Sequence, residues 1–399
     1  MDVFSGNLPH GFWWTYFAAA IIGHFGLYLA IYNRLNSLGI PRHRIKQLEW
    51  VFLVLCLLTP LGLTAFYGDF LRAALWETPP WQAMPAGLVA YTALCLAVWL
   101  YPGIPWLWTR PIFGFQHVEV EKGVRRVDVR GETNEPLALT AKCRFQSRWP
   151  FNQILQLAIE EKQLPVLGLP PQLDGLKIAH LSDIHLTGHI APQYFRYAVD
   201  QANAWQPDLV ALTGDIVDSD DCIDWVTTCF QHATATAGCY FVLGNHDTRV
   251  RDPGQIRAAM TRIGWRDAGG RQIQQTLRGC PLTLLGNEAP WFPAPPDDAA
   301  DSGAGPEGFT MALCHSPDRI DWARRRGVQL VLAGHTHGGQ GRLPILGPIL
   351  SPSRYGSRFA SGEFYLQPTT MHVSRGLSGV HLLRLRCPPE LALLVLRTA

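Results

Sequence analysis

Three apolar runs in the first hundred residues constrain this chain more than any other feature. They cover residues 11–32, 50–67 and 84–101. A helix crosses the hydrocarbon of a bilayer in about 20 apolar residues, whereas helices of soluble proteins average about 11–12. Three membrane spans are therefore expected, not a buried helical hairpin. Trp13, Trp14, Trp99, Trp106 and Trp108 cluster near the ends of the runs, as interfacial aromatics do. His24 lies inside the first run and is expected to pack against a neighbouring helix rather than line a cavity. Pro60 interrupts the second run, which membrane helices tolerate when neighbouring groups satisfy the freed carbonyl.

Basic residues set the expected orientation. The loop after the first run carries Arg34, Arg42, Arg44 and Lys46, whereas the next carries Asp69, Arg72 and Glu77. The positive-inside rule puts the first loop in the cytoplasm. Three spans then leave everything after residue 102 on the cytoplasmic side of a multi-pass membrane protein. The nine cysteines show no framework spacing and read as buried thiols of a reducing compartment. Residues 1–10 carry Asp2 and no basic stretch, so a cleaved signal peptide is not expected. A net charge of +2 makes no case for nucleic acid as a partner.

The expected organisation is a membrane region over 1–105, a connector over 106–172 and a catalytic domain over 173–399. In the connector, valines alternate through residues 117–130 around Lys122-Gly123, which suggests a small hairpin. Phe151, Ile154, Leu155 and Ala158 are spaced for one face of a helix, either interfacial or in the core, although a strand also fits. From residue 173 short apolar runs alternate with amphipathic segments. Strands are expected at 176–181, 209–212, 240–243, 310–314 and 328–333. Helices are expected at 193–205, around Ile256, Met260 and Ile263, and from the Ser316-Pro317 cap to residue 326. This alternation argues for an α/β fold of buried sheets covered by helices. Residues 290–308, rich in Pro, Asp, Ala and Gly, read as a surface insertion.

Each of the five expected strands runs directly into residues that ligate metals. Asp183 and His185 follow the first, and Asp215 the second. Asn245, His246 and Asp247 follow the third, His315 the fourth, and His335 with His337 the fifth. Loops at strand ends are exposed yet rigidly held, so sites are built there. Glycines beside Asp215, Asn245 and His335 allow close backbone approach. Imidazole with carboxylate and no thiolate suits Mn, Fe or Zn better than Ca. One such motif is usually structural; five in order are not expected by chance.

The ordered set Asp183-x-His185, Gly214-Asp215, Gly244-Asn245-His246-Asp247, His315 and Gly334-His335-x-His337 resembles the calcineurin-like metallophosphoesterases over residues 173–399. The tail, with His337-Gly338-Gly339-Gln340, Ser353-Arg354-Tyr355-Gly356 and Val373-Ser374-Arg375-Gly376-Leu377, resembles their YkuE-like branch. That branch includes the transmembrane proteins with metallophosphoesterase domain. The resemblance implies a four-layer α-β-β-α sandwich and two divalent metal ions, Mn, Fe or Zn, bridged by Asp215. Asp183, His185 and His337 would complete one site; Asn245, His315 and His335 would complete the other. By the same resemblance His246 protonates the leaving oxygen or steadies the phosphate. Asp218 orients His246, with Asp247 the competing partner and a turn or cap the plainer role for Asp218. Arg249, Arg342, Arg354, Arg358 and Arg375 are candidates to bind phosphate, though structural roles suit each equally well.

The expected activity is hydrolysis of a phosphodiester or pyrophosphate by a metal-activated hydroxide. The bilayer anchor favours a lipid-linked substrate such as UDP-2,3-diacylglucosamine, which relatives of this branch resemble hydrolases for. Two alternatives stand beside it. One is a phosphodiesterase or phosphatase for soluble substrates, with the spans as anchor only. The other is a non-catalytic membrane sensor or scaffold.

Overall fold

The computed structural model describes residues 8–109, 117–118, 120–296 and 308–399. Its contacts divide the chain into two compact units, residues 1–115 and 116–399.

The first unit consists of long apolar helices: α1 (His10–Leu35), α2 (Arg42–Trp76) and α3 (Ala86–Val98), the last extended by a π turn and α4 (Ile104–Trp108). Three stretches, Gly11–Leu35, Arg42–Trp76 and Ala86–Trp108, are long and apolar enough to cross a membrane. Pro60 sits inside α2 and has no N–H to give the carbonyl of Cys56, one turn earlier. His24 of α1 supplies the missing donor, with its Nε2 2.9 Å from that carbonyl oxygen. Its Nδ1 is held by the hydroxyl of Tyr91 on α3. One imidazole thus joins three helices, as expected of a packing residue.

The second unit contains two facing sheets. The seven-stranded sheet has the order β1 (Lys122–Asp128), β2 (Gln156–Val166), β15 (Glu390–Thr398), β3 (Lys177–Leu181), β4 (Leu209–Thr213), β5 (Cys239–Val242) and β6 (Arg266–Asp267). The six-stranded sheet has the order β13 (Gly362–Leu366), β14 (Thr369–Val373), β10 (Leu330–Ala333), β9 (Phe309–Cys314), β8 (Cys280–Asn287) and β7 (Gln272–Leu277). A two-stranded hairpin joins β11 (Arg342–Leu343) to β12 (Gly347–Pro348). The helices α5 (Ala141–Gln146), α6 (Pro192–Ala204), α7 (Trp225–Phe230), α8 (Pro253–Arg262) and α9 (Ile320–Arg325) complete it.

Strand alternation builds the layers. On β4, Leu209 and Ala211 enter the core between the sheets with Phe309, Met311 and Leu332. Val210 and Leu212 point the other way, into a core with Phe195 and Ala198 of α6 and Ile256 of α8. The outer face of the second sheet buries Val331 and Met371 against Ile320 and Ala323 of α9. The result is an α-β-β-α sandwich. The nine cysteines are free, and all but Cys56 are buried.

One expectation for the connector does not hold. No hairpin forms at Lys122-Gly123: both residues lie within β1, which pairs with β2 along its whole length. The valine alternation is that of one edge strand, because an unbroken ladder on a long partner satisfies more backbone groups than two short arms. The segment from Phe151 to Ala158, open between helix and strand, resolves toward the strand: Ala158 lies in β2, where Leu157 to Glu160 are buried in succession, a run that helical spacing also matches. Residues 297–307 of the expected insertion lie outside the described residues.

Candidate metal centre

Strands β3, β4 and β5 run parallel, as do β9 and β10. Their C-terminal ends deliver the five motifs to one place. Asp183, His185, Asp215 and His337 present ligand atoms within 4.8 Å of one another, as do Asp215, His315 and His335. Asp215 belongs to both groups. Its Oδ2 lies 3.5 Å from His185 Nε2, and its Oδ1 lies 3.2 Å from His315 Nε2. Asn245 joins the second group, with Oδ1 3.0 Å from His315 Nε2.

The backbone is bent to achieve this. Asp183, His185, Asp215, His335 and His337 all have positive φ, a left-handed conformation costing L-residues about 1–2 kcal/mol each. Such strain persists only where the surroundings enforce it, and it concentrates at functional sites. Close approach adds a second constraint. A Cβ on Gly244 would stand 2.3 Å from Asp215 Oδ1, and one on Gly334 1.8 Å from Ser182 Oγ.

Hydrogen bonds assign the imidazole tautomers, and the assignment tests whether cations fit. His185 donates from Nδ1 to Asp218 Oδ2 at 2.8 Å. His315 donates from Nδ1 to the carbonyl of Thr213 at 2.7 Å, and His337 Nδ1 lies 3.2 Å from that of Ser378 and 3.3 Å from Arg384 Nη2. The Nε2 atoms of His185 and His337 turn inward and face each other at 3.2 Å. Asp215 Oδ2 and His335 Nε2 are buried without a hydrogen-bond partner. Buried lone pairs converging with carboxylates and no donor are unfavourable until a cation is present, so the donor set fits divalent metals.

The remaining polar residues sort by contact. His246 Nδ1 lies 2.6 Å from Asp218 Oδ1, and Arg249 reaches both Asp218 and His246 Nε2, the latter at 3.0 Å. Burial opposes charge on Asp218, but His185 and His246 hold its carboxyl well below the usual range. Burial pushes the His246 imidazole down to about 4 against the pull of Asp215. Asp247 is not the partner of His246. Its carboxylate accepts the backbone N–H groups of Ile216, Val217 and Gly244 at 2.9, 2.9 and 2.7 Å. Of the other arginines, Arg375 pairs with Glu160 and Glu390 and Arg354 with Asp321. Arg358 lines a cavity of about 260 Å³ with Asp321 and Tyr365, and Arg342 donates to the carbonyl of Gly338 at 2.9 Å.

Several residues at the site carry no local signal. Trp291 places its ring 4.9 Å from that of His335. Arg384, fully buried, donates to the carbonyl of His337 at 2.9 Å. A buried polar chain also reaches Asp183 from behind. Ser182 donates to Asp183 Oδ2 at 2.6 Å, Thr213 donates to Ser182 at 2.8 Å, and His180 Nε2 lies 2.9 Å from Thr213 Oγ1.

Two strand-end donor sets sharing a carboxylate, held inside an α-β-β-α sandwich, form a site of the dimetal type. The sequence model of the calcineurin-like phosphoesterase family matches residues 176–339. The chain thus carries a calcineurin-like metallophosphoesterase domain and is a phosphoester hydrolase of a class that implies divalent metal ions. It is 29% identical to the uncharacterized metallophosphoesterase YkuE of Bacillus subtilis over 58% of this chain and 82% of that one. It is 27% identical to the bovine transmembrane protein with metallophosphoesterase domain over 61% of this chain and 57% of that one. It is also 27% identical to the UDP-2,3-diacylglucosamine pyrophosphatase LpxG of Chlamydia trachomatis over 56% of this chain and 84% of that one.

Proposed function

We propose that the protein is a membrane-anchored phosphohydrolase that cleaves a phosphodiester or pyrophosphate bond in a lipid-linked substrate on the cytoplasmic side. The observation that carries the hydrolytic reading is the pair of donor sets meeting at Asp215. In this reading Asp183, His185, Asp215 and His337 hold one ion, and Asp215, Asn245, His315 and His335 hold the other. When bound, the two cations neutralise charge on the phosphoryl oxygens and lower the pKa of water. The protein's own groups do the rest. Asp218 fixes the tautomers of His185 and His246 at once, since one carboxylate oxygen accepts from each. His246 steadies the phosphate or gives a proton to the leaving oxygen, and Arg249 beside it supplies a fixed positive charge. The basic first loop supports the cytoplasmic side, and the three apolar helices together with LpxG's named substrate support a lipid-linked one.

The test is a panel of soluble diesters, monoesters and UDP-2,3-diacylglucosamine offered to detergent-purified protein with Mn²⁺. The lipid-linked nucleotide is expected to be turned over fastest, and Asp215→Ala to abolish all turnover. Preference for soluble esters would reduce the spans to an anchor. A cytoplasm-dependent reporter fused after Ala399 is expected to be active.

A further inference from the structure

Every exposed large apolar side chain among the described residues of the second unit, except Val124 and Leu167, lies in residues 139–151 or 343–350. The first segment exposes Phe145, Trp149 and Phe151; the second exposes Leu343, Ile345 and Leu350. The two are neighbours. Asn152, next to Phe151, and Gly341, at the start of the hairpin, both form backbone bridges to Leu385. Strands lie ~4.8 Å apart, so the two segments leave the surface ~10 Å from each other. Both adjoin the metal centre, because Arg384 beside Leu385 donates to the carbonyl of His337.

The two most exposed of these side chains are also the most strained. Phe151 is 85% exposed at φ +74°, and Ile345 is 83% exposed at φ +66°. A β-branched or bulky residue at positive φ is an outlier, and neither side chain gains packing inside the unit in return. Their burial is to be sought outside it. Charge says where. Lys142, Arg144, Arg148 and Arg386 are exposed around the aromatics, and residues 139–151, 341–359 and 381–386 contain no Asp or Glu. Large apolar side chains ringed by Lys and Arg, without acids, match an anionic lipid surface. The chain is also tied close to one: from Trp108, the end of the third candidate span, to Lys122 of β1 it can reach at most ~50 Å.

We propose that this face docks on an anionic bilayer surface, with Phe145, Trp149, Phe151, Leu343 and Ile345 entering the acyl boundary and the basic ring meeting the headgroups. The hydrolytic rim then opens at the interface. The proposal rests on the membrane anchorage of the preceding reading and not on its substrate.

Full-length protein is reconstituted in vesicles of phosphatidylcholine with phosphatidylglycerol, and spin labels are placed at Phe151→Cys, Ile345→Cys, Asp200→Cys and Leu61→Cys. The native cysteines, mostly buried, label slowly. Labels at 151 and 345 are expected to show a several-fold higher ratio of oxygen to nickel-chelate accessibility than the label at 200, and to lose it in pure phosphatidylcholine at high salt. A label at 61 in lipid with 151 and 345 in water would overturn the docking and leave the anchorage intact. A label at 61 in water would overturn both. Spin–spin broadening between Ile345→Cys labels on separate chains would assign the face to a second copy and overturn the proposal. Phe151→Asp with Ile345→Asp, both tolerated at positive φ, is expected to keep turnover of a soluble diester and to lower the oxygen-to-nickel accessibility ratio of a label at Phe145→Cys several-fold. An unchanged ratio would overturn the proposal.

Discussion

His180 of β3 and His372 of β14 face each other across the two sheets with their Nδ1 atoms 2.9 Å apart. Both are fully buried, so one ring must donate and the other accept. The direction follows from the far end of the chain. The Asp183 carboxylate only accepts, so Ser182 donates to it; Thr213 donates to Ser182, and His180 Nε2 must then donate to Thr213. His180 Nδ1 is left as acceptor and His372 Nδ1 as donor. The remaining nitrogen of His372 accepts from Lys162, 3.3 Å away, an ammonium held by Glu390, Glu363 and Glu160 at 2.5, 2.8 and 3.2 Å. Every hydrogen bond from Lys162 to Asp183 thus points the same way, which strengthens each through its neighbour.

Breaking that chain at Thr213 tests its hold on Asp183. Thr213→Val keeps the shape but leaves the His180 N–H and the Ser182 hydroxyl without their partner. The loss of a supporting group behind a metal ligand typically weakens affinity ~10–100-fold. Thr213→Ser, which keeps the hydroxyl, is expected to bind nearly as the parent. Free Mn²⁺ measured by electron paramagnetic resonance during titration reads this directly. A valine variant that binds as tightly as the parent would show that the chain does not position Asp183.

The carboxylates Asp218 and Asp247 separate function from folding. Asp218→Asn removes the acceptor shared by His185, His246 and Arg249, and kcat on a diester is expected to fall about 10²-fold or more at temperatures where the variant is fully folded. Asp247→Asn keeps one oxygen but loses charge where three backbone N–H groups converge. Each weakened charged hydrogen bond matters at about 1–3 kcal/mol, so its Tm is expected to drop. Thermal melts beside kinetics on both variants distinguish the two roles.

Metal removal is expected to destabilise the second unit, because the nitrogens of His185, His337 and His315 and the carboxylates of Asp183 and Asp215 then lose the ions they converge on. Chelation should lower Tm. Restoring Mn²⁺ at a hundredfold excess over its Kd should regain about 2.7 kcal/mol. Calorimetry in detergent measures both, and a Tm indifferent to chelator would contradict the assigned site.

In the first unit, His24→Phe leaves the Cys56 carbonyl freed by Pro60 without its donor. Hydrogen bonds between membrane helices contribute about 0.6–2 kcal/mol, and a loss of that size is expected in unfolding measurements. Restoring the N–H at position 60 with Pro60→Ala should recover much of it in the double variant, since the carbonyl regains its own helical donor.

Legibility in the sequence followed the range of the physics. Apolar runs long enough to cross a bilayer, and the five buried strands with their Asp, Asn and His motifs, were readable because periodicity and ligand chemistry are local. Strands β3, β4, β5, β9 and β10 fall within two residues of expectation. What joins distant segments was not readable. The insertion of β15 between β2 and β3 and the arrival of His372 behind Asp183 depend on which sheets stack and in what register. The pattern near Phe151 stayed open between helix and strand for the same reason, since a strand covered on both faces and a helix share one spacing. The amino-acid pattern by itself determined which residues can ligate a metal and which segments can enter a membrane. Only the tertiary structure decided which of them share Asp215, because convergence is set by burial of the sheets against each other and not by any single stretch of chain.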